Sequence, residues 1–169
     1  MKKYLHALAI FIGSALVFGV QPMVGKTLLP VFGGTAAVWT VCLCSFQVLL
    51  LAGYFYAHIL AAQQDDDSNK KGWFHVILLL AGSAWVAFAG LKLKQIAGWT
   101  GEVDLPALGA LAAVLILVGL PYTLLSANAS LIQALAARGG GNVYKLYAVS
   151  NAGSFCGLLL YPLVVEPTV

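Results

Sequence analysis

Charged positions divide this chain into long silent stretches separated by short turns. Five stretches contain no Asp, Glu, Lys or Arg: Tyr4–Gly25, Thr27–Gln64, Gly72–Leu91, Leu105–Ala137 and Leu146–Val165, together 133 of 169 residues. About 20 apolar residues in a helix cross a bilayer. In lipid the backbone must satisfy its own hydrogen bonds, which a helix does within one segment. The pattern therefore predicts an all-α, polytopic transmembrane bundle forming one membrane domain. About five spans are expected, near residues 4–20, 36–61, 73–91, 106–127 and 144–164.

Proline and glycine set the expected boundaries. Gln21-Pro22 reads as the end of span one, because proline lacks an amide hydrogen and restricts the residue before it. A loop is then expected through Gly25-Lys26-Thr27 and Pro30 to Gly33-Gly34. Pro106 suits the first turn of span four. The 33-residue silent run that includes this span is too long for one straight crossing, so Pro121 is expected to kink or break it. Its tail, Leu124–Ala137, would then run along or out of the interface. Arg138-Gly139-Gly140-Gly141 reads as a hinge before span five. Met1-Lys2-Lys3 ahead of an apolar run resembles a signal peptide, but no small-x-small cleavage site follows, and the segment is read as an uncleaved first span.

Composition agrees with this reading. Hydrophobic residues make up 61% of the chain and charged residues 9%, too little polar surface to wrap a soluble domain. The net charge of +3 comes from nine dispersed basic residues that form no nucleic-acid patch. Basic residues instead orient the spans. With the N-terminus inside, inner segments hold Lys2, Lys3, Lys70, Lys71, Arg138 and Lys145, and outer ones hold Lys26, Lys92 and Lys94. That bias predicts N-in, C-out, and a bacterial inner (cytoplasmic) membrane is the expected location.

Short motifs add no chemistry. Gly25-Lys26-Thr27 ends like a phosphate loop, but Gly19 to Gly25 encloses five residues where the motif needs four. Gly139-Gly140-Gly141 follows a helix where a dinucleotide turn would follow a strand. Asp65-Asp66-Asp67-Ser68-Asn69 opens like a calcium loop, but Lys70 stands where glycine is required. Cys42 and Cys44 project about 200° apart on a helix and cannot share one metal ion. Asn128-Ala129-Ser130 fits a glycosylation sequon but lies at the membrane. No metal site, no cofactor site and no catalytic residue is read from the sequence.

Polar stripes inside the spans are more informative. Thr40, Cys44, Gln47, Tyr54 and His58 recur along one sector of span two. Tyr144, Tyr147, Asn151 and Ser154 do so on span five, and Tyr122, Ser126, Ser130 and Gln133 on the tail of span four. Lipid offers such groups no partners. The stripes are either interhelical hydrogen-bonding groups or the lining of a functional cavity. Gln47, Tyr54, Tyr147 and Asn151 are accordingly expected to face the protein interior. Gln21, Lys26 and Glu166 are candidates for a polar lid at the outer side, a docking surface or solute site. Gly153 and Gly157 form a small-xxx-small pair for close helix packing, with contact to a partner chain as its expected use.

Two segments carry a family resemblance. One runs Gln21-Pro22-Met23-Val24-Gly25-Lys26, Leu29-Pro30-Val31-Phe32-Gly33-Gly34, Ala37-Val38-Trp39-Thr40 and Phe46-Gln47 through Ala57-His58. The other combines Leu120-Pro121, Leu124-Leu125-Ser126, Leu146-Tyr147-Ala148-Val149-Ser150-Asn151-Ala152-Gly153-Ser154 and Tyr161-Pro162-Leu163-Val164-Val165-Glu166-Pro167. Together they resemble the N-terminal membrane region of fused integral-membrane spermidine synthase-like proteins. The resemblance implies a Rossmann-type synthase-like domain downstream, with aminopropyl- or methyl-transfer chemistry. No such domain lies before Val169. The expectation is a chain that is non-catalytic by itself. It would act as an anchor or subunit in the lipid bilayer beside other membrane subunits, a synthase-like protein or further copies of itself. The alternative is a small-solute, polyamine-like transporter half working as an oligomer.

Overall fold

The computed structural model describes residues 2–62, 68–138, 140 and 142–168. The acidic run Asp65-Asp66-Asp67 and the hinge glycines Gly139 and Gly141 lie outside the described residues. Six helices follow one another, with no strand among the described residues: α1 (Lys2–Phe32), α2 (Ala36–Ala62), α3 (Ser68–Leu91), a short α4 (Leu93–Gly101), α5 (Pro106–Arg138) and α6 (Val143–Thr168). All but α4 are long and apolar enough to cross a membrane. The chain is an all-α bundle suited to a lipid bilayer.

Local chemistry sets the helix ends. Gly33 adopts φ +83°, and its N–H donates to the Leu29 carbonyl at 2.9 Å, the left-handed stop that glycine makes without steric cost. Thr35 then starts α2, its Oγ1 accepting from the Val38 N–H at 3.3 Å. Asn142 caps α6 in the same way, accepting from the Lys145 N–H at 3.2 Å. Pro106 stands in the first turn of α5, where its missing N–H has no helical partner to lose.

Proline elsewhere behaves differently from expectation. α1 does not end at Gln21-Pro22 but continues through Pro22 and Pro30 to Phe32, so Lys26 sits on a helix and not in a loop. In a membrane, unwinding exposes more unpaired backbone than a proline removes, and neighbouring hydroxyls take up freed carbonyls. Between the two prolines, the Thr27 hydroxyl donates to the Met23 carbonyl of its own helix at 2.8 Å. α5 likewise passes Pro121 unbroken. It absorbs the proline in a π-helical turn over Leu115–Gly119. In that wider register the donor for the Ile116 carbonyl would be Pro121, which has none. The Trp85 indole N–H of α3 donates to it instead, at 2.8 Å. The tail after Pro121 stays inside the bundle, with Leu124, Ser126, Ala127 and Leu131 buried.

α5 is the hub: α1, α2, α3, α4 and α6 all touch it. The main core gathers Val17, Leu28 and Phe32 of α1, Val38, Cys42, Phe46 and Leu49 of α2, and Ala110, Ala113, Val114, Leu117, Val118 and Tyr122 of α5. At several seams glycine lets helices come closer than ordinary side-chain packing permits. A Cβ on Gly153 or Gly157 of α6 would run into the Phe11 and Ala15 carbonyls of α1. One on Gly53 of α2 would meet Ser126 Oγ and the Thr123 carbonyl of α5. The Gly153/Gly157 pair, for which the sequence suggested a partner chain, is thus filled by α1 of the same chain.

Candidate functional site

Besides the Trp85–Ile116 bond, further side-chain hydrogen bonds join helices of the bundle. Gln21 Nε2 of α1 donates to the Tyr122 hydroxyl of α5. Ser14 of α1 and Ser150 of α6 share a 2.8 Å bond between hydroxyls. Asn128 Nδ2 of α5 donates to the Ala9 carbonyl at 3.1 Å, which gives the sequon asparagine a packing role. Tyr122 is buried and meets the edge of Phe46, with ring centroids 5.0 Å apart at 65°. Other hydroxyls on the spans, among them Ser45, Ser83 and Thr123, return to carbonyls of their own helix.

The stripes on α2 and α6 lie elsewhere. Thr40, Cys44, Gln47, Tyr54 and His58 are all exposed, while Val38, Cys42, Phe46, Leu49, Gly53, Ala57 and Leu60 of the same helix are buried. At 100° per residue the polar stripe stands roughly opposite the buried face. On α6, Tyr144, Tyr147 and Asn151 are exposed, and Leu146, Gly153 and Gly157 are buried. The expectation that Gln47, Tyr54, Tyr147 and Asn151 face the interior of this chain is corrected: Tyr54 is 46% and Tyr147 60% exposed, and both amides lie on the outer surface. The cause is steric. The inner face of α6 closes on α1 at Gly153 and Gly157, and that of α2 closes on α5 at Gly53, points where a larger side chain would collide; periodicity gives a face but not its direction.

The two stripes approach one another at one point. The phenols of Tyr54 and Tyr147 lie within electrostatic range of each other, and Tyr122 is in range of Tyr54. Tyr122, read in the sequence only as part of the α5 stripe, joins Gln21 by its hydrogen bond and is in range of Tyr54, while Tyr147 lies toward the other end of the bundle from Gln21, since Gly153 packs at Phe11 and Gly157 at Ala15. Lys26 and Glu166 are exposed near the end of α1 and at the end of α6, and His58 is exposed near the end of α2.

Sequence reasoning passed over one buried group. His75 of α3 is 3% exposed, and its ring lies 5.8 Å from that of Tyr56 of α2. Both imidazole nitrogens and the Tyr56 hydroxyl lack a hydrogen-bond partner among the described residues. α2 ends at Ala62 and α3 begins at Ser68, and Tyr56 and His75, six and seven positions from those ends, meet at one depth. Among the described residues no three His, Cys, Asp or Glu side chains come together. No family model, curated protein or solved structure matches the chain. The functional reading therefore rests on the bundle itself and on its outer polar faces.

Proposed function

We propose that the chain is a non-catalytic integral-membrane module that acts as an anchor or subunit of a larger membrane assembly, inserted with its N-terminus inside a bacterial inner membrane. One observation carries the reading. The hydrogen-bonding stripes of α2 and α6 stand on the faces turned away from the bundle, where lipid leaves such groups unpaired. A partner polypeptide supplies what lipid lacks. The resemblance to the membrane region of spermidine synthase-like proteins supports the same reading, with a synthase-like protein among the candidate partners.

The test is the mass of the particle extracted in mild detergent, for the native chain and for a variant carrying Gln47→Leu and Asn151→Leu. A native assembly heavier than one chain, lost in the variant, is the expected result. A native chain that is monomeric in both detergent and nanodiscs overturns the proposal. So does stoichiometric nucleoside-cofactor binding by calorimetry with turnover of a polyamine precursor.

A second reading has its own observation. The proximity of Tyr54 to Tyr147 and to Tyr122, which follows the Pro121 π-turn, suits half of a small-solute transporter, since helices that depart from regular geometry line solute sites in transporters. Accumulation of a labelled polyamine in proteoliposomes, abolished by Tyr54→Phe with Tyr147→Phe, would favour it over the anchor.

A further inference from the structure

Thr40, Cys44, Gln47, Leu51, Tyr54 and His58 follow one another at intervals of 4, 3, 4, 3 and 4. That is the repeat of two helices crossing in a left-handed supercoil, the commonest way membrane helices pair. All six residues are exposed, roughly opposite the face of α2 that packs on α5.

We propose that this seam pairs with the α2 seam of a second copy of the chain, across a two-fold axis along the membrane normal. The inference rests on the docking reading above and names its partner. The argument is self-complementarity. Two copies inserted in the same direction place α2 parallel to α2, and in a parallel pair each seam residue meets its own counterpart. A seam residue must then satisfy itself. Hydroxyl, primary amide, phenol and neutral imidazole each carry both a donor and an acceptor, and these are the polar groups of Thr40, Gln47, Tyr54 and His58. The seam holds no Asp, Glu, Lys or Arg, so no like charges oppose the pairing.

The chain carries its own probe. Cys44 is the exposed cysteine, while Cys42 is buried and Cys156 half-buried. In the proposed pair the two Cys44 residues face each other, at a separation a disulfide spans, about 7 Å or less between Cα atoms. The experiment treats native membranes with copper–phenanthroline in air and then measures the mass of the mildly extracted particle, for the native chain, Cys44→Ser and Gln47→Leu. The expected result is a disulfide-linked dimer that Cys44→Ser abolishes, a native mass of two chains, and dimer dissociation about tenfold easier with Gln47→Leu, which removes a pair of amides from the seam. An assembly that Gln47→Leu weakens without any Cys44 disulfide overturns self-pairing but leaves the docking face standing, with an unlike occupant. A single-chain mass unaffected by either variant overturns both.

Discussion

The α1–α6 seam and the outer face of α2 are both built at spacings of three and four residues, yet they solve opposite problems. The seam uses absence. Gly153 and Gly157 let the carbonyls of Phe11 and Ala15 approach where any side chain would collide, and the contact gains from dispersion along two backbones. The outer face of α2 uses presence, with amide, phenol and imidazole groups spaced along a helix that packs elsewhere. Small residues mark where a membrane chain closes on itself. Polar residues on the far side mark where, on the proposed reading, a partner attaches.

This contrast can be broken most severely at the seam. Gly157→Leu places a side chain against the Ala15 carbonyl and should destabilise the bundle by about 3 kcal/mol, read as loss of the folded peak in detergent chromatography and a large fall in Tm. Gly90→Leu, where a Cβ meets nothing within 4 Å, should leave Tm unchanged. Gly53→Val should cost about 2 kcal/mol and also weaken assembly, because α2 can no longer seat on α5 and its outer stripe shifts with it. If Gly53→Val lowers Tm and leaves assembly intact, the two faces of α2 are independent.

Smaller effects sharpen the comparison. Tyr122→Phe removes the hydroxyl that accepts from Gln21 and should lower stability by about 1 kcal/mol. Trp85→Phe leaves the Ile116 carbonyl without its indole donor and should cost about 0.6 kcal/mol, with faster amide exchange confined to the π-turn. Asn151→Leu should change the stability of the isolated chain least, by under about 0.5 kcal/mol, while altering the mass of the extracted assembly. A large fall in Tm from Asn151→Leu in the monomer would mean that the outer face is needed for folding itself.

The existence of the spans was legible because charge is so costly in lipid that its absence over 20 residues has few other meanings. The direction of the stripes was not. The spacing of Gln47 and Tyr54 defines a line on a cylinder, and only the positions of Gly53, Ala57 and Cys42 on the opposite side say which line turns inward. The prolines misled for a related reason. Pro22 and Pro121 end helices in water, where the freed backbone is solvated. In apolar surroundings the helix keeps going, and a nearby group such as the Trp85 indole takes the orphaned carbonyl. His75 was missed because matching its depth to Tyr56 needs the end of α2 and the start of α3, and sequence periodicity places neither to better than a few residues.

The position of the hub in the chain has a consequence for biogenesis. α5 contacts every other helix, but it is fifth in order and ends at Arg138. Synthesis proceeds at roughly 5–20 residues per second, so about 4 to 15 seconds separate completion of α2 at Ala62 from completion of α5. Through that interval the inner face of α2, with Gly53 bare, has no α5 to seat against. A nascent chain halted between the third and fifth helices would carry two unsatisfied faces on α2 where the finished chain carries one. Such halted chains should be the form most readily captured by insertion chaperones and membrane proteases, and release should coincide with the arrival of α5.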